Sequence, residues 1–302
     1  MLDRDKLVLE FWERKSYLSI KNKEYRNFVS RILSILLKND IKNGDITTNS
    51  LIKKHISAAI IAKEDGVVAG LEEFRLINKD LKLKFFKKDG DKIKSGNPIV
   101  EINGYAKYIL PRERISLNLL QRMSGIATLT SELSKKSGSA RIAATRKTPW
   151  GLLDKKAVSV GGGLTHRLNL GDGIIVKDNH LGLLGYNFVK IINLAKNKSK
   201  RIEIEVENKR HALEATRAIK NVIGKSNKIH FALMLDKIKP EDIKSVIKEL
   251  KKMDIYESLL LEASGNINKD NLAEYSDCGV DIISMGSLTN SAKALNMSQE
   301  IA

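Results

Sequence analysis

Residues 201–265 read RIEIEVENKRHALEATRAIKNVIGKSNKIHFALMLDKIKPEDIKSVIKELKKMDIYESLLLEASG, and this stretch decides the fold class. Three short apolar runs, RIEIEVE (201–207), HFALML (230–235) and SLLLEA (258–263), alternate with amphipathic segments at 208–222 and 239–252. Strands separated by helices of this length predict parallel pairing, because a parallel neighbour needs a crossover connection. The same alternation extends outward. ARIAAT (140–145) and GIIV (173–176) precede the stretch, DIISM (281–285) follows it, and further amphipathic segments lie at 186–196 and 268–276. Six such units predict an α/β fold with either a β/α barrel or a doubly wound sheet. No GxGxxG follows any of the strands and no GxxxxGKS or GxxxxGKT run occurs, and the GGG at 161–163 reads as a flexible turn.

The first part of the chain is different. Its first 40 residues read as helical, with Leu33, Leu36 and Leu37 spaced to share one face. KNGDITTNSLI (42–52) contains a turn around Gly44–Asp45. From 57 to 110 the pattern is of short strands: SAAIIAKEDGVVAGLEE as two strands about Asp65–Gly66, then turns at Asp89–Gly90 and Ser95–Gly96. This region resembles the hammerhead of biotinyl and lipoyl carriers in architecture, without their lysine signature. Residues 111–135 form a long amphipathic helix carrying Leu117, Leu120, Ile126 and Leu133.

Composition narrows the class further. The chain has 302 residues, 42% of them hydrophobic, which is enough for two domains or a barrel plus a smaller domain. No apolar run approaches the roughly 18 residues of a membrane span, and the N-terminal residues lack a signal-peptide pattern. Cys278 is the single cysteine, so disulfides and cysteine metal sites are excluded and a cytoplasmic location is expected. The net charge of +17 raises nucleic-acid binding as an alternative. Aromatics are only 5%, however, and no basic run is interleaved with stacking residues, so the lysines read as a solvated surface that steers anions inward.

In a parallel barrel, function gathers at the C-terminal strand ends. Here those ends carry Thr145-Arg146-Lys147, then Lys177-Asp178-Asn179-His180, with Thr165-His166-Arg167 between them. The third strand places Glu203, Glu205 and Glu207 on one face; the later strands end at Asp236, Ser264-Gly265 and Gly286-Ser287. Carboxylates on a covered strand need cations or metal opposite them. Arg146, Lys147 and Arg167 can clamp carboxylates or phosphates, Lys177 is a compact cation, Glu205 and Asp236 suit a hydrated Mg²⁺, and the two Gly/Ser turns suit a phosphate. The predicted site takes a polycarboxylate and a phosphorylated, Mg²⁺-bound compound.

The motifs ERISLNLLQRMSGIAT (113–128), TRKT (145–148), KKAVSVGGGLTHRLNLGDGIIVKDNHL (155–181), EIEVEN (203–208), LEASGNI (261–267) and DIISMGSLTNSA (281–292) together resemble those of the quinolinate phosphoribosyltransferases, and GDITT (44–48) fits the family's N-terminal region. The resemblance implies an N-terminal α/β sandwich over 1–117, to which residues 291–302 return, and a type II phosphoribosyltransferase-like incomplete β/α barrel over 118–290. It implies phosphoribosyl transfer from phosphoribosyl pyrophosphate to quinolinate with decarboxylation, giving nicotinate mononucleotide. It also implies a homodimer, or a higher assembly of dimers, in which Arg114 enters the partner's site. Carried over, Arg146, Lys147, His166, Arg167 and Lys177 hold quinolinate, and Thr145 is a further substrate-binding residue. Glu205 and Asp236 approach the ribose and Mg²⁺, while Ser264, Gly265, Gly286 and Ser287 surround phosphate, with Lys147, Lys177, Glu205 and Asp236 in the catalytic roles.

Some residues depart from the family pattern: Pro149-Trp150-Gly151 after TRKT, Lys237 after Asp236 where asparagine is common, Asn266 for a second glycine, and Asn290 for a histidine. The longer interval between Glu205 and Asp236 is expected to form a surface loop around 220–229. A relative associated with molybdenum transport shares the fold and implies a different acceptor as the alternative.

Overall fold

The computed structural model describes residues 3–42, 44–51, 53–223 and 229–301. Residues 224–228, the middle of the loop expected around 220–229, lie outside the described residues. The chain divides into two compact units. One comprises Lys15–Ser131, Thr148–Gly162 and Leu288–Ala302; the other comprises Met1–Arg14, Glu132–Lys147 and Gly163–Ser287.

The first unit contains strands β1 (His55–Ala62), β2 (Gly66–Val67), β3 (Lys82–Phe85), β4 (Lys92–Ile93) and β5 (Pro98–Tyr105). The C-terminal strand Met297–Ile301, β1, β5 and β3 form an antiparallel sheet in that order, and β2 pairs only with β4. Burial alternates along β1, as expected of a sheet with one covered face. The chain does turn at Asp65–Gly66, but the strand expected beyond it is two residues long. Leu71–Ile77 is a helix instead, started by Gly70 at φ 100°. Its Leu71, Phe74 and Ile77 are buried.

Helix Glu113–Ser134 supplies much of this unit's core through Leu117, Leu119, Leu120, Met123 and Ile126. Helix Leu152–Val160 is anchored by the buried Asp154, which accepts from the Arg122 guanidinium at 2.8 Å and from Trp150 N–H at 3.0 Å. It ends at Gly161, where an added Cβ would lie 2.4 Å from the Ala127 carbonyl oxygen. The GGG run does turn at Gly161–Gly162, as expected, but its first residue is a tightly packed helix end.

The second unit holds β6 (Arg141–Ala143), β7 (Ile174–Val176), β8 (Arg201–Val206), β9 (His230–Asp236), β10 (Leu259–Ser264) and β11 (Ile282–Ser284). They form one parallel sheet in the order β6-β11-β10-β9-β8-β7. A parallel bridge from Ala143 to Leu164 adds a further position beside β6. Among the described residues no ladder joins β7 to Leu164, so the barrel is incomplete. Strands β8 to β10 are buried on both faces, which explains the apolar runs of β9 and β10 and leaves Glu203 and Glu205 of β8 buried.

Helix Arg4–Trp12 belongs to this barrel unit. The physical reason is its apolar stripe. Leu7, Val8, Phe11 and Trp12 share one buried cluster with Ala143, Leu164, Ala232, Leu260 and Ile282. The Arg4 guanidinium grips Asp281 at 2.7 and 2.8 Å and donates to the Tyr256 and Leu259 carbonyls, at the N-terminal ends of β10 and β11. Among the described residues no helix is long and apolar enough to cross a membrane.

Candidate active site

At the C-terminal ends of the barrel strands lies a cavity of about 440 Å³. Each strand end contributes to it. Thr145, Arg146 and Lys147 follow β6; His166 and Arg167 follow the bridge at Leu164; Lys177 follows β7; Glu205 closes β8; Asp236 and Lys237 close β9; Ser264, Gly265 and Asn266 close β10. Ten of the thirteen residues expected from sequence are therefore brought together. Gly286 and Ser287 do not line the cavity, because Ser287 begins the short helix Ser287–Asn290 and its hydroxyl donates to the Ile267 carbonyl at 3.5 Å. Ser284, the last residue of β11, lines it instead. Arg114 lies in the other unit, exposed at the start of helix Glu113–Ser134. His180 caps its own helix: its Nδ1 accepts from Lys177 N–H at 3.0 Å.

The three glutamates on one face of the β8 segment each meet a base. Glu205 accepts from Lys177 Nζ at 2.5 Å, Glu207 from Lys237 Nζ at 3.2 Å, and Glu203 faces His166 Nε2 at 3.5 Å. The fourth carboxylate was not anticipated. Glu262, fully buried in the middle of LLLEAS, lies 2.9 Å from His166 Nε2. A single charge inside a strand covered on both faces requires such a partner, and this is the signal in the sequence that would have found it.

His166, Glu203 and Glu262 have the composition of a metal site, and their ligand atoms lie within 4.8 Å of one another. The tautomer argues otherwise. His166 Nδ1 accepts the Arg167 backbone N–H at 2.8 Å, so the ring proton sits on Nε2 and points at the carboxylates. A proton does the rest of the work there. Burial, then the neighbouring Glu262 charge, drives the Glu203 carboxyl far above the usual range. Glu262 is held below its usual value, the His166 imidazole and the hydrogen bonds of Glu203 and Ser284 outweighing its burial. A protonated Glu203 can donate to Glu262, which supplies partners that two bare carboxylates would lack.

The cationic side of the cavity is under strain of a different kind. Burial, then the nearby Arg146, holds the Arg167 guanidinium below its usual value. Two guanidinium groups close enough to disfavour each other are relieved by a dianion between them, and both can bind it bidentately. Arg167 is braced by the Gly173 carbonyl, which accepts from it at 3.1 Å. Glu205 and Asp236 offer the hard oxygen donors that Mg²⁺ prefers, each beside a lysine that such an ion would displace or share.

Comparison with known proteins gives a consistent result. Residues 126–300 match the family profile "Quinolinate phosphoribosyl transferase, C-terminal domain", and residues 45–124 match the corresponding N-terminal domain. The chain is 37% identical over 289 residues to a "probable nicotinate-nucleotide pyrophosphorylase (carboxylating)" of Methanocaldococcus jannaschii, covering 91% of this chain and 98% of that protein. It is 36% identical over 282 residues to the like-named protein of Methanothermobacter thermautotrophicus, covering 89% and 98%. The nicotinate-nucleotide pyrophosphorylase structure from Francisella tularensis superposes with a TM-score of 0.79 at 30% identity, covering 91% of this chain and 96% of that one.

Proposed function

The chain belongs to the quinolinate phosphoribosyl transferase family, and from that premise we propose that it makes nicotinate mononucleotide from quinolinate and phosphoribosyl pyrophosphate, releasing pyrophosphate and CO₂, a step of NAD biosynthesis. The observation that carries this reading is the cavity itself: Arg146, Arg167 and Lys177 on one side, Glu205 and Asp236 on the other, all at strand ends of one barrel.

Arg146, Arg167, Lys147 and Lys177 bind the two quinolinate carboxylates and turn the ring nitrogen toward the ribose C1. That nitrogen bonds to C1 as the pyrophosphate oxygen leaves with its electron pair. Glu205, beside the ribose, stabilises the positive charge that develops there. The 2-carboxylate then departs as CO₂, its bonding electrons remaining on ring C2 next to the cationic nitrogen, and C2 takes up a proton. No protein nucleophile is needed; the protein orients two anions and offsets their repulsion. Ser264 and Gly265 face the phosphate end. Glu205 and Asp236 would hold Mg²⁺, partly through water, and the ion would supply charge neutralisation for the diphosphate. We place the enzyme in the cytoplasm as a homodimer in which Arg114 completes the partner's quinolinate site.

The test is a substrate panel. Purified protein with Mg²⁺ and phosphoribosyl pyrophosphate should convert quinolinate to nicotinate mononucleotide with stoichiometric CO₂, and should leave nicotinate and related acids unreacted. Turnover of nicotinate but not quinolinate would point to a different acceptor and overturn the assignment.

A further inference from the structure

Lys237 lines the active-site cavity at the end of β9, and its position is unusual in three ways. Its backbone is left-handed, φ 57°, a conformation that glycine and asparagine adopt at less cost than lysine. Its backbone N–H is pinned to the end of β10, donating to the Ser264 carbonyl at 2.9 Å. The neighbouring turn fits closely around it: a Cβ on Gly265 would stand 2.6 Å from Lys237 Cγ and from its backbone nitrogen, and 2.8 Å from Asp236 Oδ1. The turn thus directs a long cationic side chain along the cavity rim. There its Nζ lies 3.5 Å from Asp236 Oδ2 and 3.2 Å from Glu207 Oε1, with the side chain 57% exposed and so able to move.

We propose that Lys237 is a tethered counter-ion that is exchanged during substrate binding. In the free protein its ammonium rests on the Asp236 and Glu207 carboxylates. When a divalent cation takes Asp236, the ammonium is released onto a diphosphate oxygen of the substrate that carries the cation. The inference rests on the proposed function for the identity of that substrate. Charge counting supports the exchange. Without Lys237, Asp236 and Glu207 present two negative charges at the rim through which a diphosphate enters. With Lys237 fixed in place after metal binding, one cation would duplicate the other. A side chain with more than half its surface in solvent and two carboxylate partners can leave one of them at little cost, since exposed ion pairs of this kind are weak. Lys177 lies beside Glu205 at 2.5 Å and is engaged with the quinolinate carboxylates in the proposed reaction, so the rim at Asp236 is left to Lys237.

The experiment uses the intact protein and its Lys237→Asn and Lys237→Arg variants. Asparagine suits the left-handed turn, so folding is not at risk, and arginine retains the charge. Binding of Mn²⁺ alone is followed by electron paramagnetic resonance, and binding of inorganic pyrophosphate at saturating Mn²⁺ by calorimetry. Counter-ion exchange predicts that Lys237→Asn binds Mn²⁺ alone about threefold to tenfold more tightly and metal-loaded pyrophosphate about tenfold more weakly, with Lys237→Arg close to the wild type in both. Unchanged Mn²⁺ affinity in Lys237→Asn, or unchanged pyrophosphate affinity, overturns the proposal. These readouts need no turnover. Wild-type protein that exchanges ions as described yet fails to convert quinolinate would sink the assigned reaction and leave Lys237's role standing.

Discussion

His166 Nε2 sits 2.9 Å from Glu262 Oε2, with both side chains almost wholly removed from solvent. The pair ties β10 to the loop after Leu164, and the next residue of that loop, Arg167, reaches the substrate cavity. A histidine also suits the left-handed backbone found here, φ 54°, better than most residues.

Removing the ring should therefore strand a buried carboxylate. His166→Ala is expected to destabilise the protein by about 3 kcal/mol, whereas Glu262→Gln, which keeps an acceptor for Nε2–H, should cost only about 1 kcal/mol. Urea unfolding of the two variants checks this; equal losses would show that the pair does not govern the site.

The cavity cations should matter far more than cations elsewhere. Arg146→Ala and Lys177→Ala are each expected to lower kcat/KM by about 100-fold or more, since each removes a charge placed against the anionic substrates. Lys251→Ala, on the exposed face of helix Pro240–Lys252, should stay within about twofold. Steady-state kinetics with quinolinate as the varied substrate decides it, and similar losses at Lys251 would discredit the cavity as the active site.

Two helical glycines should respond to alanine with opposite signs. At Gly182 a Cβ meets nothing within 4 Å, so Gly182→Ala should raise stability by up to about 1 kcal/mol. At Gly125 the same atom would lie 2.0 Å from the Lys293 carbonyl oxygen, so Gly125→Ala should lose about 1–3 kcal/mol despite the better helix former. Thermal unfolding distinguishes them.

Asp89 makes part of the stability pH-dependent. Burial, the largest influence, pushes its carboxyl up from 3.8 to about 6 even though the Leu71 N–H donates to it. Between about pH 4 and pH 6 the folded protein holds a proton that the unfolded chain has lost, so this group's contribution falls as pH rises through that window. Asp89→Asn cannot ionise. Its stability relative to the wild type should grow by up to about 3 kcal/mol from pH 4 to pH 7. A constant difference across that range would rule the effect out.

What could be read from sequence was what local spacing encodes. All six barrel strands match the apolar runs, β9 and β10 overrunning theirs by one residue, and the basic residues at their ends do converge, because alternation and strand termini are short-range properties. Glu262 escaped notice because it reads as one interruption in an apolar run, and its partner lies 96 residues away. The turn holding Lys237 is set by a hydrogen bond from β9 to β10, which no local pattern announces. The place of helix Arg4–Trp12 escaped for the same reason: its amphipathic pattern shows that one face is buried, but not against which strands.

That helix has a temporal consequence. Its apolar stripe docks on Ala143, Leu164, Ala232, Leu260 and Ile282, the last of which follows it by some 270 residues of chain. At about 5–20 residues per second of synthesis, those side chains wait on the order of tens of seconds before their final neighbour exists. Leu7, Val8, Phe11 and Trp12 are thus a sticky segment that a nascent chain must carry until those strands are made. This is where a chaperone or a premature contact between ribosome-bound chains would first find something to hold.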